Sequence, residues 1–121
     1  MFVTKVDKSK RYVVTAENAP GHVDPEWIGK VFRQGLTDGE SVMRVGIADF
    51  EDGSVSALHK HGSDQIIMIT EGVGICSTET EEIEVHPGDC VLFRAGELHV
   101  HGAKPGHSMS HYAVSLDPKM K

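Results

Sequence analysis

Apolar and polar residues alternate along most of this chain in short runs, and glycine and proline cut the runs apart. Residues 82–85 read Glu-Ile-Glu-Val, polar and apolar in turn, and residues 109–116 are read as the last strand. Side chains at i and i+2 of an extended strand point the same way, so each run predicts a strand. Residues 41–50 are apolar on both faces, with Met43, Val45 and Ile47 on one and Val42, Gly46, Ala48 and Phe50 on the other. A strand covered on both sides belongs to a sandwich or barrel, and the small Gly46 and Ala48 leave room for a ligand on their face. Further strands are expected over residues 11–15, 30–33, 73–78, 91–93 and 98–101, with turns at residues 34–39, 51–53, 71–72, 86–89 and 95–97. Asp24-Pro25-Glu26-Trp27 predicts a single helical turn, capped by Asp24. Strands at intervals of roughly 8–12 residues predict an all-β barrel or sandwich.

Composition narrows the function classes. The 121 residues are one domain's worth of chain. The 12 basic and 18 acidic residues give a formal charge of −6, which argues against a nucleic-acid partner. No apolar run approaches the ~20 residues of a membrane helix, and residues 1–10 lack the apolar segment of a signal peptide. A cytoplasmic protein with no membrane partner is expected. Cys76 and Cys90 are read as reduced, small apolar strand residues.

The candidate chemistry sits in two stretches. In the first, Val55, Ala57, His59 and His61 share one parity of an extended segment, so two imidazoles can converge on one ion. Gln65 adds an amide oxygen beyond a Gly-Ser-Asp turn and begins the next inward set with Ile67 and Ile69. His99 arrives from a distant strand and closes the group. Three neutral nitrogens and one oxygen suit Mn²⁺, Fe²⁺, Ni²⁺ or Zn²⁺, with positions left for water or substrate. No thiolate lies near, which argues against a structural zinc site. His101 shares the inward parity of His99. His111 lies opposite Tyr112 in facing, while His22, His86 and His107 fall in loops and are read as solvated. Arg33 and Arg94 are read as surface ion-pairing residues that could alternatively hold a carboxylate. Asp64 is expected to cap its turn or to face water.

These two stretches resemble the motifs of the cupin superfamily, small double-stranded β-helix (jelly-roll) barrels. Gly53, His59, His61 and Gly72 fit the first motif at its spacing, and Gln65 stands where a glutamate usually stands. Gly88, Gly96 and His99 fit the second, with Arg94 and Ala103 in place of its proline and asparagine. The resemblance implies one cupin domain over residues 1–121, with an arm over about 1–30 and a barrel core over about 31–116. It implies that His59, His61, Gln65 and His99 hold one divalent metal, and that the partner is a second copy in a homodimer. The glutamine, with His99-Val-His101-Gly102 and His111, is similar to the subgroup that includes manganese-dependent hydroxynitrile lyases. That likeness implies manganese as the metal, with His101, and His111 second, moving a proton.

Two classes of function follow as expectations. One is a metalloenzyme using the ion as a Lewis acid on an oxygen-bearing small molecule, of lyase type; with iron the same site would serve a dioxygenase. The other is a non-catalytic module that binds a small molecule. A barrel whose metal is purely structural is a third reading.

Overall fold

The computed structural model describes residues 1–15 and 29–117. The expected turn at residues 24–27, with Trp27 and His22, lies outside the described residues. Among the described residues nine strands follow in chain order: β1 (Tyr12–Val13), β2 (Val31–Gly35), β3 (Met43–Phe50), β4 (Gln65–Gly72), β5 (Gly74–Thr78), β6 (Glu82–Val85), β7 (Cys90–Phe93), β8 (His99–Ala103) and β9 (Met109–Leu116). One 3-10 turn, Lys8–Lys10, precedes them and is capped by the Asp7 side chain. No helix among the described residues is long and apolar enough to cross a membrane.

The strands form two antiparallel sheets, ordered β1-β2-β3-β9-β4-β7 and β6-β5-β8. Their inner faces share one core, in which Phe50, Ile67, Ile69 and Met109 of the larger sheet meet Cys76, Val85 and Ala103 of the smaller. This is the all-β architecture that the strand spacing predicted, and the jelly roll that the resemblance implied. The pattern is cleanest in β4, where Gln65, Ile67 and Ile69 are buried and Ile66, Met68 and Thr70 are exposed. Burial pushes the Cys76 thiol up to about 12, whereas Cys90 is exposed, and the two are not joined.

Register turns alternation into rows across the inner face. Opposite residues in antiparallel strands point to the same side. One row runs Tyr12–Arg33–Ala48–His111–Ile69, and the next runs Gly35–Gly46–Ala113–Ile67. Gly46, Ala48 and Phe50 are the buried positions of β3, so the small-residue face does line the interior. The N-terminal segment belongs to this sheet: β1 pairs with β2, and the buried Gln34 accepts from the Asp7 amide (2.8 Å) and donates to the Lys5 carbonyl (2.9 Å).

The stretch carrying His59 and His61 departs from the expectation of a regular strand. Residues 53–64 form only two isolated bridges, Val55 with Gly102 and His59 with His99. The segment comes close to β8 at Gly102, where a Cβ would lie 2.5 Å from both the Ser54 carbonyl oxygen and the Val55 Cα. Serines fill part of the ladder: the buried Ser56 accepts from the His101 amide on its side chain (3.1 Å). We expect Gly102→Ala to push residues 54–59 off β8 and to cost about 1–3 kcal/mol of stability, as overpacking does. An unchanged urea midpoint would refute that reading.

Candidate metal centre

Three imidazoles meet at one end of the interior. Each of His59, His61 and His99 offers a ring nitrogen, and these nitrogens lie within 4.8 Å of one another. Backbone pairing brings the first and last together, since the amides and carbonyls of His59 and His99 bond reciprocally at 3.1 and 2.9 Å. His61 is tied down by the Gly96 amide, which donates to its carbonyl at 2.9 Å. The Asp64 carboxylate accepts from the Ala95 amide at 2.8 Å, so this residue joins the two motif turns. Phe93 stacks on His99 with centroids 3.9 Å apart and planes 11° from parallel.

Tautomers follow from the hydrogen bonds. His59 Nδ1 lies 2.7 Å from the Ala57 carbonyl oxygen, and His99 Nδ1 lies 2.9 Å from that of Glu97. A carbonyl only accepts, so each Nδ1 carries the proton and donates it. Each Nε2 is then an electron-pair donor. The Gln65 side-chain oxygen, buried on β4, lies 3.3 Å from His99 Nε2. Two electron-pair donors face each other across that distance, an arrangement a cation between them would satisfy. The donor set therefore fits a divalent ion, with imidazoles oriented by backbone carbonyls as ligating histidines usually are.

His101 and His111 form a second pair lining the same cavity as His59, His61 and Gln65. His111 Nε2 lies 3.2 Å from His101 Nδ1, and both residues are buried. Phe50 packs against both rings, with centroids at 5.6 and 5.3 Å. Burial pushes His111 down to about 4 from its ordinary 6.5. Burial, reinforced by the charges of His111, His59, His99 and His61, pushes His101 well below its ordinary value. Both rings are therefore neutral near pH 7.

A histidine held below its unfolded value takes up a proton in the unfolded chain first. Its contribution to stability is full above pH ~6.5 and is lost as the pH falls through its folded value. For His111 the interval from 6.5 to about 4 corresponds to roughly 3 kcal/mol. In chelator-treated protein the urea midpoint should fall between those pH values, and His111→Gln should flatten the fall. An equally steep dependence in the variant would contradict the assignment.

The remaining sequence candidates divide. His86 is exposed and lies 2.8 Å from a Glu84 oxygen, and His107 is exposed in its loop. Arg94 is exposed and belongs to a separate surface hollow beside Glu97. Arg33 was expected in a surface ion pair. It instead lines the central cavity, because its place opposite Ala48 turns it inward. Arg44, Tyr12 and Ser115 line the cavity as well and were not singled out from sequence. Arg44 shares the parity of Gly46 and Ala48, so the signal was present.

A jelly-roll barrel with three convergent histidines and a neutral histidine pair beside them defines a small cupin domain. The AraC-like ligand binding domain family matches residues 41–120, and the chain belongs to that family. An (R)-mandelonitrile lyase of Granulicella tundricola is 42% identical over 73 residues, 58% of this chain and 56% of the lyase. An uncharacterized HTH-type transcriptional regulator of Bacillus subtilis, YdeC, is 31% identical over 61 residues, 50% of this chain and 21% of the regulator. These matches thus span about half or less of the relatives' own lengths. A cupin-like protein of Thermotoga maritima shares the fold with a TM-score of 0.73 at 23% identity, covering 85% of this chain and 83% of that one.

Proposed function

We propose that this chain is a divalent-metal-dependent lyase that cleaves a carbon–carbon bond next to a hydroxyl group. The observation that carries the reading is the buried His101–His111 pair, 3.2 Å apart, lining one cavity with His59, His61 and Gln65. His59, His61, Gln65 and His99 would hold the ion; the donor set suits Mn²⁺, Fe²⁺, Ni²⁺ or Zn²⁺, and the likeness to hydroxynitrile lyases favours Mn²⁺. When bound, the ion supplies Lewis acidity to the substrate oxygen.

The histidine pair handles the proton. In the tautomer where His101 donates from Nδ1 to His111 Nε2, His101 Nε2 keeps an electron pair. That nitrogen takes the hydroxyl proton as the carbonyl forms, and His111 accepts the Nδ1 proton as His101 gains charge. The bond to the leaving group breaks, and the leaving group departs with the electron pair. For a cyanohydrin the products are an aldehyde and cyanide, which is then protonated.

The test is benzaldehyde release from (R)-mandelonitrile by protein loaded with Mn²⁺. Turnover that chelator abolishes and Mn²⁺ restores supports the reading. No turnover, together with ligand-stabilised unfolding by neutral small molecules, favours a binding module. The family and the regulator relative favour that second reading.

We propose a second copy of the chain as the partner. Met43, Ile66, Met68, Leu92 and Leu116 are exposed on the outer face of the larger sheet. The register sets Met43 opposite Leu116, and Ile66 opposite Leu92. Sedimentation equilibrium should give twice the chain mass, and a monomer at micromolar concentration would contradict the proposal.

A further inference from the structure

Two guanidinium groups stand on the cavity wall, and the metal centre has no use for either. Arg33 on β2 and Arg44 on β3 line the same cavity as His59, His61, Gln65, His101 and His111. Both are half-buried. The ion pairs among the described residues join Arg11 to Asp49, Lys104 to Glu84, and His86 to Glu84 and Asp89. Among those residues no carboxylate lies within 4 Å of Arg33 or Arg44. Acidic residues outnumber basic ones 18 to 12 in this chain, yet none of the described ones answers these two cations. Partly desolvated arginines are normally paired.

The Arg33 fork is also held in place. Its Nη1 donates to the Tyr12 hydroxyl at 2.9 Å. Its Nη2 and Cζ occupy the space over Gly46, where a Cβ would sit 2.6 and 3.0 Å from them. The absent side chain at Gly46 is thus a slot for the guanidinium. Arg44 lies two residues before Gly46 on the same strand face, opposite Ser115. A fixed planar fork with a second cation on the same wall matches a carboxylate.

We propose that Arg33 and Arg44 form a carboxylate subsite, and that the substrate is a short carboxylic acid bearing a hydroxyl or oxo oxygen. The acid group meets the arginines and the oxygen function reaches toward the histidines. The cavity volume of about 150 Å³ is close to that which holds a benzene molecule, so the acid is small. The placement of the oxygen function rests on the metal reading, whereas the arginine subsite does not. The neutral cyanohydrin of the assay above would then be a poor analogue of the physiological substrate.

The experiment is titration calorimetry with a matched pair, 2-hydroxy-2-methylpropanoate and its amide, on Mn²⁺-loaded and on chelator-treated protein. Charge-assisted hydrogen bonds predict that the acid binds about tenfold or more tightly than the amide in both forms. Arg33→Gln and Arg44→Gln should each reduce that preference by roughly tenfold, the acid losing more than the amide, while leaving Mn²⁺ affinity unchanged. Gly46→Ala keeps the charge and displaces Arg33, so it should weaken acid binding in the same direction, and it provides a second route if Arg33→Gln fails to fold. Equal binding of acid and amide, or a preference that survives in all three variants, overturns the subsite. Failure to bind Mn²⁺ with the preference intact would sink the metal reading and leave the subsite standing.

Discussion

His99→Ala is expected to lower affinity for Mn²⁺ by more than about 100-fold, since even residues that only orient metal ligands are worth about 10–100-fold. The variant removes a donor held in place from both sides, by the Phe93 ring 3.9 Å away and by the Glu97 carbonyl. It also removes the Gln65 oxygen's neighbour. Gln65→Glu should act in the opposite direction. A carboxylate in the same buried position restores a negative charge beside the ion, so affinity rises and Lewis acidity falls. Competition against a fluorescent chelator reads both. Equal affinity in wild type and Gln65→Glu would place that side chain away from the ion.

His101→Ala is expected to lower the cleavage rate by about 10²–10⁴-fold, the range for loss of a positioned general base. Mn²⁺ affinity should be unchanged, because His101 is bonded to His111 rather than belonging to the three-histidine group. His111→Gln should cost less, since the base remains and only its proton acceptor is altered. Stopped-flow measurement of aldehyde release, with metal content determined on the same samples, separates the two roles. If both variants keep full rate, the proton moves elsewhere.

The strands were largely legible because alternation with period two is a direct consequence of strand geometry. β6 has the bounds that its alternation suggested, and β9 those expected of the last strand. β2 runs on to Gly35 where a turn was expected at Gln34, because Gln34 is buried by bonds to the N-terminal segment. Such long-range satisfaction leaves no local trace. The histidine group was legible from spacing, although the segment carrying His59 and His61 is irregular. Convergence there comes with the backbone pairing of His59 and His99, which spacing alone does not encode. The inward turn of Arg33 was missed for a similar reason: β2 is short, and its facing is set by its ladder to Ala48. Residue type suggested an ion pair, and position decided otherwise.

The most direct measurement is an anomalous difference map from crystals of the full chain grown with Mn²⁺, recorded at an energy where manganese scatters anomalously. The account predicts one peak within about 2.0–2.4 Å of ring nitrogens of His59, His61 and His99 and of the Gln65 amide oxygen, the usual range for such ligands. A map with no peak among these four side chains at saturating metal, or a peak held by other residues, would contradict it.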